Sequence, residues 1–168
     1  MSAAVPADLA DKFAITEQLY RYCRSVDRLD VPLGKSIFHD DATVDYGPSG
    51  FRGRGHDAIE WICAAHRQLQ SHSHQVSNVI ITVDGMEAGS EAYVTATLRA
   101  VREGVIRHIE IWARYCDRWS CRHGIWRIDH RDAVIDHDSV REVTPMHSHD
   151  WARRDGNDPS YSAMGAGR

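Results

Sequence analysis

Between Ala14 and Asp30 the apolar residues Ile15, Leu19, Tyr22 and Val26 recur at i, i+4, i+7 and i+11, the stripe of an amphipathic helix. Asp8 can cap its entry, with Leu9 opening the apolar contacts. The periodicity stops near Leu29, and Pro32 suits the first turn of a second helix running from Pro32 to Phe38. His39-Asp40-Asp41 then breaks the pattern. Alternation from Ala42 to Tyr46 predicts a short strand with Val44 and Tyr46 on one face, and Gly47-Pro48-Ser49-Gly50, continued by Gly53 and Gly55, predicts a loop. Helical spacing returns from Asp57 to Leu69, where Ile59, Ile62, Cys63, His66 and Leu69 form the stripe and Trp61 stands at its side.

From Ser71 onward the pattern has a period of two. His72, His74, Val76, Asn78 and Ile80 share one face of the first long strand, and Val79, Ile81 and Val83 the other. Asp84-Gly85, Glu103-Gly104 and His123-Gly124 are turn signals separating it from three further strands, Glu91 to Arg102, Val105 to Trp119, and Ile125 to about Asp138. The third carries Ile109, Ile111, Ala113 and Tyr115 on one face. On the fourth, Trp126, Ile128, His130, Asp132 and Val134 oppose Arg127, Asp129, Arg131, Ala133, Ile135 and His137, so neither side is an ordinary core face. After Val143 the chain turns polar and Gly-rich, which reads as a mobile or partner-packed tail. Helices followed by long antiparallel strands predict an α+β domain over residues 8–143, a cone-shaped curved sheet with the N-terminal helices packed on it, and a polar C-terminal tail over 144–168.

Composition narrows the function. A net charge of −4 argues against a nucleic-acid footprint. No run of about 18 apolar residues occurs, and Met1 to Ala10 lacks the features of a signal peptide, so the expectation is a cytoplasmic protein with no membrane partner. Cys23, Cys63, Cys116 and Cys121 show no CxxC or zinc-ribbon spacing and read as small buried hydrophobes or bystanders. Eleven histidines include two His-x-His pairs, His72/His74 and His147/His149, but neither pair has an evident third metal ligand.

The interior of a cone is an apolar pocket, informative for the polar groups placed in it. Asp27 falls on the buried flank of the first helix at its C-terminal end, where burial and the helix dipole both disfavour a carboxylate. His74 opens the first long strand and Tyr46 sits on the short one. If Asp27 accepts the Nδ1–H of His74, it fixes the tautomer and leaves Nε2 free as a general base, with a tyrosine hydroxyl to polarise a carbonyl or assist a leaving hydroxyl. That chemistry requires neither metal nor cofactor. Taken singly, each residue also has an ordinary structural role: an outward-turned helix-end Asp, a satisfied buried His, a core Tyr with its hydroxyl at the rim. Spacing alone does not choose between them.

The segments YRYCRSVDRLD, DDATVDYG, His74-x-x-x-Asn78 and YCDRWSCRHGIWRI together resemble the SnoaL-like branch of the nuclear-transport-factor-2-like superfamily, over roughly Ala14 to His137. That superfamily has a cystatin-like α+β cone, and its relatives include scytalone dehydratase, a bile-acid dehydratase, hexachlorocyclohexane dehydrochlorinase, ketosteroid isomerase and polyketide cyclases. The resemblance implies an Asp27–His74 catalytic pair assisted by Tyr46. It implies a pocket arginine at Arg131 and a pocket tyrosine at Tyr22; Trp61, Asn78, Ile109, Ile111 and Ile135 complete the expected substrate-binding set. Scytalone dehydratase places a tyrosine immediately before its Asp, where this chain has Val26, which argues against that particular substrate. The implied activity is a cofactor-independent lyase or isomerase of dehydratase type, a homodimer or homotrimer acting on a small hydrophobic cyclic substrate. The alternatives are a non-catalytic ligand-binding module or small subunit of an aromatic-ring dioxygenase, and a metal site of His72 and His74 with His137.

Overall fold

The computed structural model describes residues 6–147 and 152–165. The elements run α1 (Leu9–Asp27), α2 (Val31–Lys35), β1 (Phe38–Asp45), β2 (Arg52–Arg54), α3 (Gly55–His66), β3 (Ser71–Asp84), β4 (Glu87–Arg102), β5 (Val105–Arg122), β6 (Ile125–Glu142) and α4 (Pro159–Ala163). One curved, open sheet has the order β2-β1-β6-β5-β4-β3, antiparallel throughout except for the parallel pair β1/β6. α1 packs on β3 and β6, and α3 on β1, so the α+β arrangement read from the pattern is the observed one.

The apolar stripe of α1 is its buried face: Ile15, Leu19, Tyr22 and Val26 are sealed against the sheet. Asp8 makes no cap bond and pairs instead with Lys12 at 2.7 Å. α2 is properly capped, because Asp30 Oδ1 accepts the Leu33 N–H at 3.0 Å and Pro32 occupies the first turn. It ends at Lys35, three residues earlier than the pattern suggested, since Phe38 enters the core as part of β1 and carries His39-Asp40-Asp41 with it into the strand. The glycine-rich segment expected to be all loop contains β2, whose Arg54 and Gly53 pair with Thr43 and Val44.

α1, α2 and α3 meet at Gly34. A Cβ there would lie 2.7 Å from Ile59 Cγ2 and 3.0 Å from Ser25 Oγ. Ile59 is fully buried and stiff at χ1, so it cannot step aside. Gly34→Ala is therefore expected to cost about 1–3 kcal/mol through overpacking, visible as a lower urea midpoint with an unchanged denaturant slope.

Bulges in β3 and β6 decide which side chains face the core. In β3 the register with β4 shifts between Ser77 and Ile80, and Asn78 adopts φ 49°. The inward set changes there from His72, His74 and Val76 to Val79, Ile81 and Val83. In β6 the register with β5 shifts opposite Arg118/Trp119, leaving Asp129 unpaired. Inward residues change from Trp126 and Ile128 to Arg131 and Ala133, which explains why neither parity of this strand reads as a core face.

The C-terminal segment is neither projecting nor unattached where it is described. Arg154 donates to the carbonyls of His66 (2.9 Å) and Leu69 (3.0 Å) at the end of α3. α4 is held to α1 by side chains, with Arg24 bonded to Ser160 Oγ at 3.1 Å, over the Tyr161 ring, and Arg28 Nε 3.4 Å from the buried Asp158 carboxylate. Cationic residues on the outer face of α1 are the anchor, a match that periodicity along the tail does not reveal. No helix among the described residues is long and apolar enough to cross a membrane.

Candidate active site

The last turn of α1 and the first residues of β3 are fastened side by side. Asp27 Oδ1 accepts from His74 Nδ1 at 2.7 Å, and Oδ2 accepts the main-chain N–H of His74 at 3.1 Å. His72 donates from Nε2 to the Val26 carbonyl at 3.0 Å, and its Nδ1 lies 3.4 Å from Arg154 Nη1. The carboxylate that the helix dipole and burial disfavour thus takes two N–H bonds, which offset both penalties. The imidazole is the more enclosed partner, its side chain 8% exposed against 16% for Asp27. With Nδ1 committed to Asp27, Nε2 carries the lone pair and has no hydrogen-bond partner among the described residues.

His74 forms part of the wall of an inner cavity of about 160 Å³. α1 contributes Tyr22 and Val26, α3 contributes Ile62 and His66, and the sheet contributes Val94, Ala96, Ile111, Ala113, Tyr115, Ala133 and Ile135, with Tyr46 following β1. The lining is apolar apart from two imidazoles and three phenols. A larger outer cleft of about 780 Å³, lined by Trp61, Arg52, Cys116, Val134 and the Gly47–Gly50 turn, shares Tyr46, Ala133 and Ile135 with the cavity as a common wall. Asp27 does not line this cavity; together with His74 it lines an outer recess of about 300 Å³ with Tyr20, Arg24 and Arg28.

Beside the cavity lies a buried charge. Arg131 is fully buried and forms a two-bond pair with Asp117, each bond 2.7 Å. Its guanidinium sits 4.0 Å from the centre of the Tyr115 ring and 4.2 Å from that of Tyr22. Burial disfavours the cation, but the Asp117 carboxylate outweighs that and holds Arg131 charged; burial pushes the Asp117 carboxyl up against the pull of Arg131. The pair is ionised, because guanidinium does not surrender its proton and a neutral Asp117 would leave it bare. Arg131 Nη1 is buried without a hydrogen-bond partner. The Tyr22 and Tyr46 hydroxyls meet at 3.2 Å, and burial raises both phenols, which therefore stay protonated at neutral pH. Cys23, beneath the same wall, is pushed up to about 12 by burial and is an unreactive thiol.

Of the residues singled out in the sequence, the fold brings His74, Tyr46, Tyr22, Ile111 and Ile135 to the cavity and bonds Asp27 to His74. Four stand elsewhere. Trp61 lines the outer cleft beside Phe51. Asn78 is exposed at the β3 bulge, which reverses its side relative to His74. Ile109 is not among the lining residues, and Arg131 is sealed beneath the tyrosines rather than open to the pocket. His66, Tyr115 and Asp117 are the additions. His66 was hidden in the apolar stripe of α3, and Tyr115 and Asp117 continue the Ile111-Ala113 parity of β5.

The metal alternative does not assemble. His137 stacks on Trp112 with ring centres 4.5 Å apart, while His72 and His74 are bonded to Val26 and Asp27. Among the described residues no group of three or more His, Cys, Asp or Glu could hold a metal ion. His149 of the second His-x-His pair lies outside the described residues.

Burial, with His72, His74 and Arg154 nearby, lowers His66 from 6.5 to about 3, and burial also lowers His72. The unfolded chain therefore binds a proton below about pH 6.5 that folded His66 refuses until about pH 3, so stability falls as pH drops through that window. Unfolding free energies taken from about pH 7 down to about pH 5 are expected to decline, and to decline less in His66→Gln, by up to about 2 kcal/mol.

Solved structures share the fold. A scytalone dehydratase candidate from Novosphingobium aromaticivorans superposes with a TM-score of 0.70 at 22% identity, over 85% of this chain and 97% of that one. The LinA-type3 hexachlorocyclohexane dehydrochlorinase of Novosphingobium barchaimii gives 0.70 at 18% identity, over 83% and 94%. A protein of unknown function with a cystatin-like fold from Nostoc punctiforme gives 0.60 at 24%, over 80% and 96%. At these identities the likeness is one of fold. No curated protein matches the sequence significantly. The sequence does match the family model of the SnoaL-like domain across residues 7–132, from the start of α1 to the bulged part of β6 that carries Arg131, and the chain belongs to that family.

Proposed function

We propose that the protein is a cofactor-independent lyase or isomerase of dehydratase type, acting on a small hydrophobic cyclic substrate. The observation that carries this reading is the two-point grip of Asp27 on His74, ring and main chain together, at the wall of an apolar cavity. In the proposed step His74 Nε2 takes a proton from a substrate carbon next to an activating or leaving group. The freed electron pair forms a double bond as the leaving group departs, or is held as an enolate if none departs. Asp27 stabilises the imidazolium, and the Tyr22–Tyr46 hydroxyl pair supplies the hydrogen bond and proton for the leaving oxygen, the imidazolium proton then restoring the phenol so that water is the net product. The dehydratase candidate and dehydrochlorinase of the same fold favour elimination over the other proton transfers. Residues 8–143 form the catalytic unit, and a cytoplasmic homodimer or homotrimer is its proposed setting.

The test is a panel of β-hydroxy cyclic ketones and chlorinated cyclohexanes, followed by enone absorbance and chloride release. Turnover by the native chain that disappears in His74→Ala supports the proposal. Equal rates in both proteins, or binding without turnover across the panel, would reduce the pair to a structural contact in a binding module.

A further inference from the structure

Three imidazoles meet where α3, β3 and the C-terminal segment converge: ring centres of His66 and His72 are 4.6 Å apart, those of His66 and His74 5.5 Å and nearly parallel. The ring nitrogens of His72 and the Nδ1 of His74 are committed to Val26, Arg154 and Asp27, and His74 Nε2 is the proposed base. His66 alone of the three has no hydrogen bond on either nitrogen among the described residues, and its Nδ1 is sealed. The ring nevertheless forms part of the cavity wall. A buried N–H without an acceptor is the costlier of the two ways to leave a nitrogen unpaired. The proton then sits on Nε2, the nitrogen that is not sealed.

Resting on the reading of the cavity as a substrate site, we propose that His66 is a substrate-binding residue whose neutral Nε2–H donates to a carbonyl or hydroxyl oxygen on a single-ring substrate. The ring beside it accepts a proton from carbon while this one holds the oxygen, so the two stacked imidazoles have complementary parts. The volume sets the size class: a cavity of about 150 Å³ holds one benzene ring, and the 160 Å³ here holds one six-membered ring with its oxygen. Larger polycyclic guests would have to extend past Tyr46, Ala133 and Ile135 into the outer cleft.

Cyclohexanone and methylenecyclohexane, which differ in the carbonyl oxygen, are the probes, titrated by NMR into the native chain and into His66→Phe. The native chain's preference for the ketone over the alkene is expected to fall roughly three- to tenfold in His66→Phe, with methylenecyclohexane still binding. An unchanged preference overturns the assignment to His66. If neither probe binds the native chain, the cavity reading itself fails. Should His66→Phe not fold, imidazole ¹⁵N spectra of the native chain serve instead. The His66 Nε2 signal must have the protonated form and move with cyclohexanone but not with methylenecyclohexane; a signal that ignores both, or responds equally, refutes the proposal.

Discussion

His74→Ala is expected to lower turnover by about 10²–10⁴-fold, the range that a positioned general base supplies, while leaving the secondary structure native and lowering the thermal midpoint only as far as Asp27 loses one of its two N–H bonds. The side chain is enclosed but borders a cavity, so truncation enlarges existing space rather than opening a new void in packed hydrocarbon. Asp27→Asn is expected to be nearly as damaging. Its amide oxygen can still receive the His74 Nδ1–H at the 2.7 Å position, but no negative charge then faces the imidazolium that forms when Nε2 takes the proton. The loss should appear in kcat with KM little changed, because the charge acts only once the proton has moved. Asp27→Asn and Asp27→Ala both lose the acceptor of the His74 main-chain N–H, the first because the Asn –NH2 can only donate. Asp27→Ala should add further instability, since it also removes the acceptor of the ring N–H and loosens β3 from the end of α1. Kinetics on whichever panel substrate the native chain turns over, with circular dichroism on the same preparations, give the answer. Full activity in both His74→Ala and Asp27→Asn would remove the dyad from the mechanism.

Arg131→Met carries the largest expected cost in stability, about 3–5 kcal/mol. The substitution deletes a cation held between the Tyr22 and Tyr115 rings and leaves Asp117, fully enclosed, with neither a counter-charge nor its two 2.7 Å bonds. Asp117→Leu should cost a comparable amount, because it strands a guanidinium that cannot become neutral. The double substitution Arg131→Met with Asp117→Leu is expected to recover much of the loss, as an apolar pair of similar bulk replaces a pair whose desolvation was already expensive. Urea unfolding of the four proteins closes a double-mutant cycle. A double variant as unstable as the sum of the singles would show that Arg131 works through the tyrosines and not through Asp117.

The two outcomes bear on different parts of the molecule. The dyad is attached to the end of α1 and can be altered at its tip, whereas the ion pair is a keystone between β5 and β6 directly under the cavity floor. Arg131 holds Tyr22 by its ring face, and Tyr22 holds Tyr46 by a hydroxyl bond, so the cationic keystone also orients the proposed proton donors.

Much of this was legible along the chain. Periodicity of Ile15, Leu19, Tyr22 and Val26 identified the buried face of α1, and with it the position of Asp27 on the flank next to Cys23. Period-two alternation and the Gly-containing turns at Asp84-Gly85, Glu103-Gly104 and His123-Gly124 identified four long strands in sequence, hence an antiparallel sheet with helices on one side. Local covalent geometry and solvation act on neighbouring residues, so these features are written in neighbouring residues. What only the tertiary structure decided was parity after each bulge and the fate of side chains whose partners are distant. Asn78 lost its place beside His74 because one inserted residue in β3 reverses the faces, and Arg131 went from pocket wall to buried keystone because the β5/β6 register sets Asp117 directly opposite it. His66 passed for core because its helix spacing is that of a core residue; only the approach of β3 set it against two other imidazoles. A bulge costs too little locally to leave a mark in composition, and a partner many residues away leaves none in spacing. Both are settled by whichever packing satisfies the buried charge and fills the core.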